Sequence, residues 1–122
     1  MQIEPRQTTP FIVHGTDESF EREVKQSDIP VVVDFWASWC APCRYLAKSF
    51  EEIAPEFEGK VKIVKMDVDA NPKVAGEFGI QSIPTMVFFR DGEIIGALPG
   101  ALPTEGLREL FQRHVSGELT AS

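Results

Sequence analysis

The chain has 122 residues, of which 43% are hydrophobic and 25% are charged, and this length and balance are typical of one globular domain. Its net charge of −7 at pH 7 argues against a nucleic-acid-binding surface, which requires clustered lysine and arginine. No apolar run approaches the ~20 residues that a membrane-spanning helix needs, and the polar segment 1–10 lacks the apolar core of a secretory signal. We therefore expect a cytoplasmic protein, in which a permanent disulfide would be unusual.

The first elements predicted are a short strand and a helix. Residues 1–10 have little to bury, so we expect them to form a flexible leader. The apolar stretch 11–14 predicts the first strand. Thr16 is suited to cap the helix that follows, and Asp17 suits the positive end of that helix.

The strongest strand signal is followed directly by the strongest helix signal. Residues 31–36 are apolar without alternation, which indicates a strand covered on both faces, with Asp34 as its single charge. After Cys40 the apolar residues recur with a helical period, and Pro55 should kink or end that helix. The predicted inward face consists of Cys43, Leu46, Ala47, Phe50, Ile53, Ala54 and Phe57.

The second half of the chain predicts a third strand, a short helix and a hairpin. Residues 61–68 are rich in β-branched side chains and predict the third strand. The dipeptide Asn71-Pro72 predicts a helix start, with the asparagine as cap and the proline at the first helical position. The dipeptide Asp91-Gly92 predicts a two-residue turn, which makes its flanking strands, 85–89 and 93–98, antiparallel.

The order of elements is βαβαβαββα. It predicts an α/β fold in which a mixed five-stranded sheet lies between two layers of helices, four helices in all. We expect one domain over 11–115 and a C-terminal tail over 116–122. The last helix is expected to begin at Pro103, and its inward residues are Leu107, Leu110, Phe111 and Val115.

The two cysteines, Cys40 and Cys43, lie three residues apart where the buried strand meets the long helix. A zinc site needs about four ligands, and neither His14 nor His114 has metal-ligand spacing to the pair. A structural disulfide over so short a loop would contribute only about 2 kcal/mol before strain. Two inert buried thiols are a further alternative. We favour a redox-active pair.

A redox-active pair in this position has a physical mechanism. Unpaired N–H groups and the positive dipole end at the first turn of a helix stabilise a thiolate. Cys40, at that edge, is therefore the expected exposed nucleophile, and Pro42 stiffens the turn. The thiolate would attack a substrate disulfide, and Cys43 would then displace the reduced substrate to leave a Cys40–Cys43 disulfide.

With these residues in view, the chain resembles the thioredoxin family. The motifs that carry the resemblance occur in family order and spacing over about 11–115: Asp34-Phe35-Trp36-Ala37-x-Trp39-Cys40-x-Pro42-Cys43, Ile83-Pro84-Thr85, Asp91-Gly92 and Gly100-Ala101. The resemblance implies a thioredoxin-like fold and a monomeric protein-disulfide reductase, with disulfide-containing proteins as substrates. It implies no bound cofactor, since NADPH and FAD would act only through a partner, thioredoxin reductase.

The resemblance also implies roles for residues that the pattern alone leaves open. Asp34, whose pKa burial should raise, becomes the proton acceptor that helps to deprotonate Cys43; a structural buried acid is the alternative. Lys65 becomes the cation near Asp34, where a solvated strand lysine is the alternative. Pro84 follows a cis peptide bond and packs against the cysteines, where an ordinary strand-start proline is the alternative.

A substrate-binding groove around Trp39 is implied as well, whereas Trp36 is expected to serve packing. The groove residues are Trp39, Val68, Ser82, Ile83, Thr85, Pro99 and Gly100. Four residues depart from the family pattern: Ala41, Lys48, Ser82 and Pro99. Ala41 between the cysteines should alter the redox potential, and Lys48 replaces a proline that commonly kinks the long helix.

Two other functions share these sequence features. A disulfide oxidase or isomerase has the same fold but works in an oxidising compartment. A binding or assembly module would use the groove without the thiols, and it would keep its role after both cysteines were replaced by serine.

Overall fold

The architecture is a five-stranded sheet with helices on both faces. The computed structural model describes residues 11–119, so the predicted leader over 1–10 lies outside the described residues. The order across the sheet is β1-β3-β2-β4-β5, in which β1, β3 and β2 are parallel and β4 is antiparallel to both β2 and β5. The predicted mixed sheet is confirmed. Its strands are β1 Ile12–His14, β2 Val31–Trp36, β3 Lys62–Asp67, β4 Thr85–Arg90 and β5 Glu93–Pro99.

Apart from a short 3₁₀ turn, four helices cover the sheet within residues 11–119. Three are α-helices: α1 Ala41–Ile53, α2 Pro72–Glu77 and α3 Thr104–Ser116. The first helical element is a π-helix over Glu21–Lys25 rather than an ordinary α-helix, and the Gln26 N–H closes it by donating to the Glu21 carbonyl at 3.0 Å. The predicted three-layer α/β/α arrangement is confirmed.

The long helix α1 ends where its proline predicts. It runs without interruption through Lys48 to Ile53, and a 3₁₀ turn over Ala54–Phe57, which contains Pro55, follows. A proline cannot donate to the preceding turn and clashes with it, so the regular helix cannot continue. The regular helix therefore ends just before Pro55 and is not interrupted at Lys48.

The sheet separates two apolar cores. One lies between the sheet and α1 and α3, and it includes Leu46, Phe50 and Phe111. The other lies between the sheet, the π-helix and α2, and it includes Phe20 and Phe35. Full burial of each such side chain contributes about 1.5–3 kcal/mol. The central strand β2, and with it the start of the loop to Cys40, is therefore held from both faces.

The hairpin between β4 and β5 has the predicted turn. Asp91 and Gly92 adopt φ of 54° and 79°, the left-handed conformations that a two-residue turn of this kind requires. A Cβ at Gly92 would lie 2.8 Å from the carbonyl oxygen of Lys25. Glycine is thus required here both by the backbone conformation and by the close approach of the π-helix.

The inward face of α3 differs from the prediction at one position. Val115 is 37% exposed, whereas His114 is fully buried, with its Nε2 3.2 Å from the Val31 carbonyl oxygen. The buried residues of α3 are Leu107, Phe111 and His114, a helical 4-then-3 spacing in which a histidine takes a core position. Gly117 ends the helix with φ of 82°, and Leu119 packs against the α1–α3 core.

The cap of α2 also differs from the prediction. Asn71 precedes the helix, but its side chain caps no N–H of α2. The Asp17 carboxylate instead accepts hydrogen bonds from the N–H groups of Lys73 (3.1 Å) and Val74 (2.9 Å). The Asn71 Oδ1 accepts from the Asp17 N–H at 2.9 Å, which holds the carboxylate in place. Asp17 therefore complements the positive end of α2 and not that of the first helix.

Candidate active site

The two cysteines lie at the N-terminus of α1 and are joined by a disulfide, with their Cα atoms 5.2 Å apart. Cys40 is the cap residue, with an extended backbone, and its Sγ accepts a hydrogen bond from the Cys43 N–H at 3.2 Å. Pro42 is the second residue of the helix. The Cys43 N–H has no partner inside the helix, so it can stabilise negative charge on the Cys40 sulfur once the disulfide is opened.

The predicted exposure of Cys40 is wrong. Only 5% of Cys40 is exposed, compared with 1% of Cys43. Both pack in a small apolar cluster with Ala37, and the half-buried side chains against this cluster are Trp36, Val68 and Ile83. A substrate disulfide can therefore reach the Cys40 sulfur only through this small exposed area.

The segment before β4 approaches the disulfide closely. The Ile83–Pro84 peptide bond is cis, as the resemblance implies, and the Ile83 carbonyl oxygen lies 3.8 Å from the Cys40 Sγ. The Pro84 carbonyl accepts a hydrogen bond from the Gly100 N–H at 2.8 Å, and the Thr85 hydroxyl donates to the Ser82 carbonyl at 2.7 Å. The end of β5 and the segment before β4 are thus tied together beside the cysteines.

An open cavity of about 370 Å³ lies next to this segment. It is lined by Trp39, Val68, Ala75, Ile80, Gln81, Ser82 and Ile83. Four of the seven predicted groove residues are in this lining. Thr85 is buried, with its hydroxyl already bonded, while Pro99 and Gly100 are exposed outside the lining.

Sequence reasoning did not assign three of the lining residues to the groove. Ala75 lies on the buried side of α2, which indicates only core packing, and Ile80 and Gln81 lie in the irregular segment between α2 and β4. No periodic pattern marks these two residues, because four consecutive residues of this irregular segment, 80–83, line the cavity.

The two tryptophans have different environments. Trp39 is 68% exposed, and its Nε1–H donates to Oδ2 of Asp69 at 2.8 Å. Trp36 is half-buried against the cysteine cluster, and the Lys65 ammonium lies 4.6 Å from the centroid of its ring. The exposed indole face of Trp39 is therefore available to a substrate, whereas Trp36 packs.

Asp34 is a fully buried carboxyl group near the centre of the sheet. Neither of its oxygens has a hydrogen-bond partner within residues 11–119. Burial raises the pKa of Asp34 to about 7, and the positive charge of Lys65, its neighbour in the β2–β3 register, opposes this rise. Because the Lys65 ammonium lies over Trp36 rather than on the carboxyl, it offsets only part of the desolvation.

Within residues 11–119, no cluster of three or more His, Cys, Asp and Glu side chains has an arrangement that could hold a metal ion. None of the helices in that range is long and apolar enough to span a membrane.

A disulfide that closes over the first turn of a helix, beside a groove open to solvent, places this chain among the thiol–disulfide oxidoreductases. The thioredoxin family model matches residues 11–113. Thioredoxin 1 of a Nostoc species is 47% identical over 100 residues, which cover 82% of this chain and 94% of the relative. The thioredoxin of Haemophilus influenzae is 45% identical over 104 residues, with 85% and 97% covered.

The chain belongs to the thioredoxin family. Its activity is the reduction of protein disulfides by dithiol–disulfide exchange. Because thioredoxins carry no bound cofactor, the Cys40–Cys43 disulfide is the redox group.

Proposed function

We propose that Cys40 is the nucleophile and Cys43 the resolving thiol of this disulfide reductase. The observation that carries the assignment is the hydrogen bond from the Cys43 N–H to the Cys40 Sγ at 3.2 Å. Through this bond the positive end of α1 stabilises negative charge on the Cys40 sulfur and not on the Cys43 sulfur. Cys40 is also the more accessible of the two, because Cys43 lies one helical turn further in.

Two exchange steps complete the reaction. In the reduced protein, the Cys40 thiolate attacks one sulfur of the substrate disulfide, and the other substrate sulfur leaves as a thiolate that takes a proton from solvent. The Cys43 thiolate then attacks the Cys40 sulfur of this mixed disulfide, which releases the second substrate thiol. Two electrons pass from the cysteine pair to the substrate, and Cys40 and Cys43 end as a disulfide.

Serine variants of each cysteine test this order. Reduced Cys43→Ser protein should trap an oxidised protein substrate as a stable mixed disulfide, visible by intact mass and lost on addition of dithiothreitol. Reduced Cys40→Ser protein should trap little or none, because its remaining thiol is buried and lacks the helix N–H contact. Trapping by Cys40→Ser alone would reverse the assignment.

We assign to Asp34 the role of proton acceptor for the Cys43 thiol. A carboxyl group with a pKa of about 7 is a suitable base near neutral pH, and its two oxygens have no partner in the described part of the chain. No hydrogen bond joins Asp34 to Cys43 within residues 11–119, so we propose that a water molecule carries the proton from the thiol to the carboxylate.

An Asp34→Asn variant tests the role in single-turnover kinetics. The resolution step of the parent should accelerate as pH rises through about 7, because the carboxylate is the active form. The variant should resolve more slowly and without this inflection, while its first step stays close to that of the parent. Superimposable pH profiles for the resolution step would refute the assignment.

We further propose two roles for the surrounding residues, substrate contact and redox tuning. Substrate contact is assigned to the groove, with Trp39, Val68, Ser82 and Ile83 lining it and Thr85, Pro99 and Gly100 at its border. Redox tuning is assigned to Ala41 and Pro42, which lie between the two cysteines in sequence, and to Lys65, the neighbour of the buried acid in the β2–β3 register. It is assigned also to Pro84, which follows the residue whose carbonyl oxygen lies 3.8 Å from the Cys40 Sγ.

We also propose that a thioredoxin reductase, which passes electrons from NADPH through FAD, restores the dithiol of a cytoplasmic monomer whose functional domain is 11–115. Family membership and the match over residues 11–113 support this proposal. Oxidation of NADPH should require the reductase, this chain and insulin together, and the chain should sediment at its monomer mass of 13.6 kDa. Absence of NADPH oxidation with the complete mixture, or a stable dimer, would contradict it.

A further inference from the structure

Within residues 11–119, the exposed Trp39 side chain has a single polar contact, which its neighbour Asp69 provides. The indole N–H donates to Oδ2 of Asp69 at 2.8 Å, a short bond to a charged acceptor. Both residues are exposed, and they come from loops 30 residues apart in the chain. The indole orientation thus depends on how firmly the loop after β3 holds the Asp69 carboxylate.

That loop is held by Asp67, the last residue of β3. Oδ1 of Asp67 accepts hydrogen bonds from the N–H groups of Asp69 (3.0 Å) and Ala70 (3.4 Å), so the side chain closes a turn over its own backbone. The Val68 N–H donates to the Trp36 carbonyl at 2.9 Å, which fixes the turn to the end of β2. Val68 lies inside this turn and lines the groove.

The far side of the turn is fixed by Asn71 and Asp17. The Asn71 side-chain amide donates to the Asp67 carbonyl at 3.3 Å, and its oxygen accepts from the Asp17 N–H at 2.9 Å. The Asp17 carboxylate accepts from two N–H groups in the first turn of α2, the helix that supplies Ala75 to the groove. The contacts are therefore continuous from Asp17 to the indole of Trp39.

We infer that Asp69, Asp67, Asn71 and Asp17 are positioning residues for substrate recognition, which hold Trp39 in the orientation that a protein substrate meets. This inference rests on the proposed contact between Trp39 and the substrate. It separates two substrate classes. Protein disulfides, which must lie along the groove, depend on the network, whereas small soluble disulfides, which need only reach the Cys40 sulfur, do not.

Protein substrates should depend on the network because an exposed aromatic side chain has conformational freedom that binding must remove. A tryptophan that is 68% exposed has few packing contacts to select one rotamer, so its side chain would have to be ordered when the substrate binds. A bond to a carboxylate that is itself held by the turn orders the indole in advance, and less free energy is lost on binding. The network thus acts on association with protein substrates and not on the sulfur chemistry.

Spectroscopy of the indole N–H groups tests the orientation directly. In a proton–nitrogen NMR spectrum the two tryptophans give two indole signals, and loss of one in Trp39→Phe identifies the Trp39 signal. We expect Asp69→Ala to shift that signal and to lower its heteronuclear NOE, while the Trp36 signal keeps its position. Asp67→Ala should give a smaller change in the same direction, since it loosens the turn but leaves the carboxylate in place.

Kinetics test the consequence for recognition. For Asp69→Ala we expect kcat/KM with insulin to fall on the order of fivefold, through KM, because one charge-assisted bond is lost. The rate with a small disulfide such as hydroxyethyl disulfide, the reduction potential and the thiolate titration should match those of the parent. Asp69→Asn, which keeps an acceptor oxygen, should recover most of the loss.

Glu77→Ala is the matched control, because it also removes one negative charge and its exposed carboxylate has no hydrogen bond or ion pair within residues 11–119. It should leave both the NMR signal and the insulin kinetics unchanged. An unaltered Trp39 signal in Asp69→Ala, or equal losses with insulin and the small disulfide, would overturn the inference. A parent protein that fails to reduce insulin at all would instead count against the proposed function.

Discussion

Replacing Asp34 by asparagine should stabilise the oxidised protein at neutral and alkaline pH. The carboxyl is fully buried, neither of its oxygens has a hydrogen-bond partner within residues 11–119, and its pKa is raised from 3.8 to about 7. Below about pH 3 the group carries its proton in both the folded and the unfolded state, and it imposes no ionisation penalty. As pH rises toward 7 the unfolded chain ionises first, so the free energy of unfolding falls.

The size of the effect follows from the two pKa values. A rise from 3.8 to about 7 corresponds to about 4 kcal/mol of lost stability once pH exceeds the folded-state pKa. Between about pH 5 and pH 8 the stability difference between Asp34→Asn and the parent should grow by about 3 kcal/mol in favour of the variant. Other titrating groups are common to both proteins and cancel in this difference.

Urea unfolding of the oxidised proteins at several pH values measures this difference, with the slope m checked to be equal. Asp28→Asn is the control, since Asp28 is exposed and its variant should follow the parent at every pH. A constant difference between Asp34→Asn and the parent across this pH range would refute the reasoning. So would a difference that grows as pH falls, because that sign belongs to a carboxylate stabilised by folding.

Three further predictions concern stability. Asp17→Ala should lower the free energy of unfolding by about 1 kcal/mol, as loss of a helix cap does, and Asp17→Asn should lower it less, both measured in urea. Gly92→Ala should cost about 1–3 kcal/mol, because φ is +79° and the new Cβ would meet the Lys25 carbonyl, whereas Gly96→Ala, with open space around it, should cost less. Burial lowers the pKa of His114 below 6.5, so the free energy of unfolding of the parent should decrease as pH falls through 6.5. The decrease should be smaller for His114→Gln, and equal decreases would contradict the prediction.

Elements with strong local signals were predictable from the sequence. The β2 run, the helical period after Cys40, the effect of Pro55 and the Asp91-Gly92 turn all depend on neighbours a few residues away, and the structure has each of them. The cysteine pair and the Ile83–Pro84 segment were recognisable for the same reason, because their motifs are short and specific. Local chemistry therefore located the centre of the site.

Long-range pairing was not predictable. The Asp17 carboxylate caps a helix whose first turn lies 56 residues away, and no local pattern tells which of Asp17 and Asn71 supplies the cap. Asp69 was missed as the partner of Trp39 because an aspartate in a loop is most often solvated. His114 was missed as a core residue because a helical period counted over apolar residues leaves histidine out.

The sequence left Asp34 open between a structural acid and a proton acceptor, and its surroundings favour the second. A structural carboxylate would be held by hydrogen bonds that lower its pKa and stabilise the fold near neutral pH. Asp34 has no such bond within residues 11–119, and its pKa is raised instead. The group thus weakens the fold at the pH where it would act as a base. A buried acid that lowers stability, and whose oxygens have no partner in the described part of the chain, is better explained by a role in proton transfer than by a structural role.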